Sequence, residues 1–197
     1  MRALRAVPPL LLTLVVASGC SESPDPVAPP DEPLLRAAPG PGPVGQLQNF
    51  VAPHSADQEV ADPPVVSGAR GQAVFQLNKD GTELHYRLIV ANIENVLQAH
   101  IHCGAAGVNG PVVAFLYPDG PPAVLIPGRL NGILATGVIT NDDVIPRPDS
   151  EACPGGVANF DELVEKLRTG EAYSNVHTSQ YPPGEIRGQI HAGGPHH

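Results

Sequence analysis

The sequence has little charge and few aromatic residues. Only 16% of its 197 residues are charged, 4% are aromatic, and tryptophan is absent. In their place the chain carries 24 prolines and 21 glycines, which break regular structure. This composition excludes long helices as the main architecture and predicts many turns.

Positive charge is also scarce, with 11 lysines and arginines against 20 aspartates and glutamates and a net charge of −9. A surface of this sign repels phosphate backbones and anionic lipid headgroups. The balance therefore disfavours nucleic acid as a partner. Cations and basic partners are compatible with it.

Long apolar runs are missing except at the start of the chain. Residues 1–19 combine Arg2 and Arg5 with a short leucine- and valine-rich centre and a small-residue exit. This pattern is typical of a secretory signal peptide, and it is too short for a permanent membrane span. We expect an exported protein whose remaining residues are soluble.

Cysteine is rare, and the first of the three cysteines follows the signal directly. The stretch Ala17-Ser18-Gly19-Cys20 resembles the lipobox of bacterial lipoproteins, although alanine stands where that pattern prefers leucine. The resemblance implies acylation of Cys20 and a membrane anchor in the bacterial cell envelope, on the periplasmic side or at the cell surface. The alternative is ordinary cleavage nearby, which would leave Cys20 free.

Lipidation of Cys20 would leave Cys103 and Cys153 as a pair. In an oxidising compartment a disulfide between them is expected, closing a loop of about 50 residues and stabilising the fold by roughly 4 kcal/mol on the chain-entropy model. The alternative is two separate buried thiols.

Three composition changes divide the rest of the chain. Residues 20–45 are rich in proline and predict a disordered, extended tether. Residues 46–191 alternate short apolar runs with turn signals and form one predicted domain. Residues 192–197 form a predicted disordered tail.

The pattern within the domain predicts an all-β fold, an antiparallel, Greek-key-like β-sandwich with one short helix at about residues 160–169. Asn159 precedes this helix as its expected N-cap, and Gly170 follows as its stop. The predicted strands cover 48–52, 70–77, 84–90, 99–103, 112–117, 124–126, 132–140, 172–177 and 185–191, and residues 92–98 are expected to link two of them.

Histidines recur at strand spacing in two distant fragments. His100 and His102 flank Ile101, so they share one face of a strand while Ile101 enters the core. In the second fragment His177 follows Val176 in the same way, and we expect the fold to bring the three rings together on the outer surface. Imidazole suits copper and zinc, so His100, His102 and His177 are a candidate metal site.

The paired spacing is similar to the His-x-His strand of copper–zinc superoxide dismutases, which are also β-sandwiches. The further histidines and the aspartate of a two-metal site have no counterpart here, so redox activity is only the alternative. The competing interpretation is structural. The histidines would then bond to backbone carbonyls or to Glu185 and fix the neighbouring loops.

Other polar residues give weaker signals. Glu185 and Arg187 lie two apart on a predicted strand, where they can pair with each other or anchor a ligand, and Asn175 is a further structural or ligand candidate. Ser174 and Ser179 flank His177, but adjacency in sequence is not the geometry of a catalytic triad. We therefore expect no enzymatic activity.

Two motifs carry a family resemblance. Ala99-His100-Ile101-His102 with Asn109-Gly110-Pro111-Val112-Val113, and Tyr173-Ser174-Asn175-Val176-His177-Thr178 with the segment 181–190, resemble the CHRD domain, named for chordin. Membership would imply the sandwich fold and export. Chordin binds growth factors of the bone morphogenetic type, a ligand that a bacterial lipoprotein does not meet. The expected function is a lipid-anchored, extracytoplasmic binding or scaffold module with a protein or cell-envelope partner.

Overall fold

The computed structural model describes residues 48–193. The predicted signal peptide, Cys20, the predicted tether up to residue 45 and the tail residues 194–197 lie outside this range. Among the described residues, no helix is both long enough and apolar enough to cross a membrane.

The domain is built mainly from strands, which confirms the all-β prediction, and each paired strand runs antiparallel to its neighbour. The strands are β1 (Gln48–Ser55), β2 (Arg70–Leu77), β3 (Leu84–Cys103), β4 (Val112–Tyr117), β5 (Ile126–Ile139), β6 (Ala172–Thr178), β7 (Ile186–Gln189) and β8 (His191–Ala192), with one α-helix, α1 (Phe160–Thr169).

The two layers of this sandwich-like fold belong to one continuous sheet. Its strand order is β2-β1-β7-β6-β3-β4, and an additional pairing of β2 with β3 closes it on itself. Closure is possible because β3 serves both layers. Its first half lies between β2 and β5, and its second half lies between β6 and β4. The layers therefore meet along the strand that carries His100 and His102.

The 20-residue length of β3 corrects the sequence prediction, which treated residues 92–98 as a link between two strands. The chain stays extended there, with register shifts against β5. Asn92 and Asn95 have φ values of 57° and 54°. Asparagine tolerates this left-handed region better than most residues, so a feature typical of turns is accommodated as irregularities inside a strand. Similarly, the two strands predicted over 124–140 form the single strand β5.

Helix α1 begins and ends where its capping residues predict. The side chain of Asn159 accepts a hydrogen bond of 3.0 Å from the backbone N–H of Glu162. Gly170 ends the helix with φ 73°, a conformation that costs glycine little. The apolar side of the helix packs on the core through Phe160, Leu163, Val164 and Leu167.

The disulfide Cys103–Cys153 is present and both residues are fully buried. It joins the end of β3 to the loop before α1, across a sequence separation of 50. A loop of that length corresponds to roughly 4 kcal/mol of stabilisation through the unfolded chain. The bond therefore fixes the chain immediately after His102.

The end of the domain differs slightly from the prediction. The single last strand expected over 185–191 is two short strands, β7 and β8. Ala192, expected in the disordered tail, pairs with Phe50 of β1.

Candidate functional site

The three candidate histidines lie together, as the strand pattern predicts. His100 and His102 are on β3, and β6 runs beside it with Asn175 opposite His100 and Tyr173 opposite His102. His177 lies one further position along the same face, opposite Gln98. Ile101 and Val176 point the other way and are completely buried in the core.

The expectation that these rings lie on the outer surface is wrong. His100, His102 and His177 are only 4%, 8% and 6% exposed. Two segments cover them: the loop between β3 and β4, which reaches His102 through Gly110, and the turn between β6 and β7, which reaches His177 through Pro182. The histidines therefore form an enclosed cluster outside the main core.

Backbone carbonyls fix the orientation of two rings. The Nδ1–H of His102 donates to the carbonyl of Gly110 at 2.8 Å, and the Nδ1–H of His177 donates to that of Pro182 at 2.8 Å. A carbonyl can only accept, so each ring carries its proton on Nδ1 and presents the lone pair of Nε2 to the cluster. Metal-binding histidines are usually held in this way.

The third ring completes the group. Nδ1 of His100 lies 3.2 Å from Nε2 of His177, and Oδ1 of Asn175 lies 3.0 Å from the same Nε2. With the proton of His177 on Nδ1, both Nε2 and this oxygen are acceptors, so no hydrogen bond joins them in this tautomer. Because His177 offers a lone pair there, His100 donates its Nδ1–H to it in the metal-free protein. Nε2 of His102 is buried and has no hydrogen-bond partner within residues 48–193.

The spacing of the nitrogens is close to that of a metal site. One ring nitrogen from each histidine lies within 4.8 Å of the other two. Metal–nitrogen bonds of about 2.0–2.1 Å place such nitrogens about 3.3–3.6 Å apart, so the closest pair, at 3.2 Å, already fits and a pair at the 4.8 Å limit must approach by about 1.2–1.5 Å. His100 must also move its proton to Nε2 to release its Nδ1 lone pair.

Burial keeps the rings neutral. It lowers the pKa of His100 to about 3, with further contributions from His177 and His102, and it lowers the pKa of His102 to about 4. The pKa of His177 is lowered for the same reason. Neutral imidazole is the metal-binding form, so protons do not compete for this site at neutral pH.

Aromatic side chains enclose the cluster. Phe115 meets the ring of His100 edge-on with centroids 4.7 Å apart, and Tyr173 stacks on His102 at 4.7 Å with the planes 10° apart. The guanidinium carbon of Arg187 lies 3.4 Å from the centroid of the Tyr173 ring. Since β6 lies between β3 and β7, His102 and Arg187 approach Tyr173 from opposite sides.

Arg187 and Glu185 have other partners than those first considered. Arg187 is 1% exposed and donates to the carbonyl of Ala105 at 2.9 Å. Glu185 accepts hydrogen bonds from the hydroxyls of Ser67, at 2.6 Å, and Thr178, at 2.7 Å. Arg187 therefore ties the loop between β3 and β4 to β7, and Glu185 joins the end of β6 to the segment between β1 and β2.

Glu59 and Tyr173 also belong to this site, although neither was among the predicted site residues. Burial raises the pKa of Glu59 to about 7, against the opposing charge of Arg187, and its buried Oε1 has no partner among the described residues. The alternation that places Asn175 and His177 on one face also places Tyr173 there, so the pattern could have revealed it. Glu59 lies in an irregular segment that carries no such signal.

The serines beside His177 do not face it. The hydroxyl of Ser174 lies 2.9 Å from Nε2 of His54, on the opposite side of the sheet, and the hydroxyl of Ser179 donates to Gln180 at 3.0 Å. The pair of Ser174 and His54 is closed to substrates, since the two residues are 0% and 2% exposed.

The family comparison covers this whole domain. The model of the CHRD domain matches residues 50–190, which include all three histidines and both bonded cysteines. Neither the curated proteins nor the solved structures contain a match to the chain. Family and disulfide together fit an extracellular, non-enzymatic module. The chain belongs to the CHRD domain family.

Proposed function

We propose that this chain is an exported CHRD module that binds one copper or zinc ion through His100, His102 and His177. The observation that carries the proposal is the set of three ring nitrogens within 4.8 Å of one another. Two of the rings are already held by carbonyls so that the Nε2 lone pairs of His102 and His177 face the cluster. Such an arrangement lowers the cost of organising the ligands when the metal binds.

We further propose that an acylated Cys20 anchors the module to a membrane of the cell envelope and that residues 20–45 tether it. Support comes from the signal-like start, the lipobox resemblance and a disulfide suited to an oxidising compartment. In this role the protein binds or carries a metal ion and catalyses no reaction. Its contact with envelope components is through the anchor.

The test is metal binding by the full, untagged mature protein, with His196 and His197 replaced by alanine so that the tail cannot bind metal. We expect one zinc or copper ion per chain by elemental analysis after dialysis. His102→Ala and His177→Ala should each weaken affinity by more than the about 10–100-fold that loss of an outer-shell partner costs.

His85→Ala is the matched control, because His85 also lies on β3 but is exposed and bonds to Glu83. Its affinity should equal that of the parent protein. If the parent retains no metal at micromolar supply, the histidines serve only to hold the two covering segments, and the proposed function is wrong.

A further inference from the structure

We infer that the three-histidine site is built for monovalent copper in preference to Zn²⁺ or Cu²⁺, and that Arg187 contributes to this preference through Tyr173. The inference rests on the proposed function, since it names the ion of the same site. Three observations support it: the charge of the ligands, their burial, and the stack of Arg187, Tyr173 and His102.

The ligand group carries no negative charge. Among the described residues, the cluster able to hold a metal contains three histidines and neither a carboxylate nor a thiolate. The nearby carboxylate of Glu185 is occupied by two hydroxyls. A bound ion would thus keep its full formal charge, one for Cu⁺ and two for Zn²⁺ or Cu²⁺.

Burial makes this difference in charge costly. The three rings are at most 8% exposed, and the rings of Phe115 and Tyr173 pack against His100 and His102. The cost of moving an ion from water into such surroundings rises with the square of its charge, so a monovalent ion incurs about a quarter of the cost of a divalent one. Three neutral nitrogens also satisfy Cu⁺, which accepts three-coordination, whereas Zn²⁺ requires a fourth ligand.

The positive charge of Arg187 also disfavours a divalent ion more than a monovalent one. Its guanidinium lies 3.4 Å from the centroid of Tyr173, whose ring stacks on His102. Only one aromatic ring separates the guanidinium from His102, so its charge acts across the stack on any positive charge bound at that ring. Coulomb repulsion is proportional to the charge of the ion, and it penalises a divalent ion twice as much as a monovalent one. Glu59 offsets this repulsion when it is ionised.

The experiment measures affinities of the full, untagged mature protein with His196 and His197 replaced. Cu⁺ is titrated without oxygen against bicinchoninate, and Zn²⁺ and Cu²⁺ against chromophoric chelators, all at pH 8. We expect Cu⁺ to bind at least about 100-fold more tightly than Zn²⁺.

Two variants test Arg187 in opposite directions. Arg187→Met removes the charge and should raise Zn²⁺ affinity about tenfold relative to Cu⁺, while Glu59→Gln removes the offsetting carboxylate and should lower it. Glu59→Gln keeps the test decisive if the buried Arg187 proves essential for folding. Arg129→Met, which removes an exposed charge paired with Glu94, should leave the ratio unchanged.

The outcomes separate the two proposals. Binding of Zn²⁺ as tight as that of Cu⁺ overturns the inference but leaves the proposed function intact. An unchanged ratio in Arg187→Met and Glu59→Gln overturns the role of Arg187. Failure of every ion to bind overturns both the inference and the proposed function.

Discussion

The buried histidines of this domain have different roles because the two nitrogens of each ring have different hydrogen-bond partners. In His102 and His177 a carbonyl fixes the proton on Nδ1, and the remaining nitrogen faces the cluster. In His54, Nε2 meets the hydroxyl of Ser174, and Nδ1 is buried without a partner among residues 48–193. His54 therefore belongs to the packing of the domain, and its burial has a consequence for stability.

The buried His54 should make the fold sensitive to acid. Burial lowers its pKa to about 4, so between pH 6.5 and 4 the unfolded chain binds a proton that the folded chain does not. The contribution of the neutral His54 ring to the free energy of unfolding is complete above pH 6.5 and is lost as the pH falls. By pH 4 the loss amounts to about 3 kcal/mol. His54→Gln, which does not titrate, should lack this part of the decline in urea unfolding measured from pH 7 to pH 4.

The control is His85→Gln, a change at an exposed histidine, which should leave the pH dependence of the parent unaltered. If His54→Gln loses stability with falling pH as steeply as the parent, the buried ring is not responsible.

At the scale of elements, the loop between β3 and β4 covers the site and depends on one glycine. Gly110 supplies the carbonyl that accepts from His102, and its N–H donates to the hydroxyl of Tyr173 at 3.2 Å. A Cβ at this position would collide with the carbonyl oxygen of Cys103. The loop can therefore approach His102 this closely only because residue 110 is a glycine and has no side chain.

Gly110→Ala should destabilise the domain by about 3 kcal/mol, because the loop must shift to relieve the collision. The shift moves the carbonyl that orients His102, so metal affinity should fall as well. Urea unfolding and chelator competition measure the two effects.

Gly120→Ala is the matched control, since nothing lies within 4 Å of a Cβ built there. It should change neither stability nor affinity appreciably. Equal behaviour of the two variants would contradict the proposed role of the loop.

Local signals predicted some elements well and others poorly. Asn159 and Gly170 mark the ends of α1 because capping depends on neighbours in sequence. Asn92 and Asn95 also give a local signal, one that is typical of turns, but pairing with β5 keeps β3 extended around them. Strand alternation predicted that the three histidines share one face. Their burial could not be predicted, because it depends on two covering segments that contact the rings through the carbonyls of Gly110 and Pro182 and that no sequence pattern marks.

At the scale of the whole molecule, the described domain is one part of a chain that begins with a signal-like segment. Its family and its disulfide suit an extracytoplasmic setting. If Cys20 carries lipid, the domain is concentrated near a membrane and the proposed metal site would function there. The membrane anchor at Cys20 can be tested directly.

Cys20→Ser should release the protein from the membrane fraction of a bacterial host into the soluble envelope fraction, since two acyl chains provide stable anchoring and none remain. Intact-mass measurement of the parent should show a chain that begins at Cys20 and carries lipid. Ser21→Ala, the neighbouring control, should stay with the membrane. A parent protein with an unmodified Cys20 would contradict the anchor.

The alternation along β3 links the proposed metal site to correct strand pairing. His100 and His102 alternate with Ile101 and Cys103, which are completely buried on the other side. A slip of one residue in pairing with β6 would send both imidazoles into the apolar interior and expose isoleucine and cysteine. Misaligned chains would thus lose their core, their disulfide partner and the shared face of the histidines at once. The proposed metal site can therefore form only in chains whose strands have paired in the correct register.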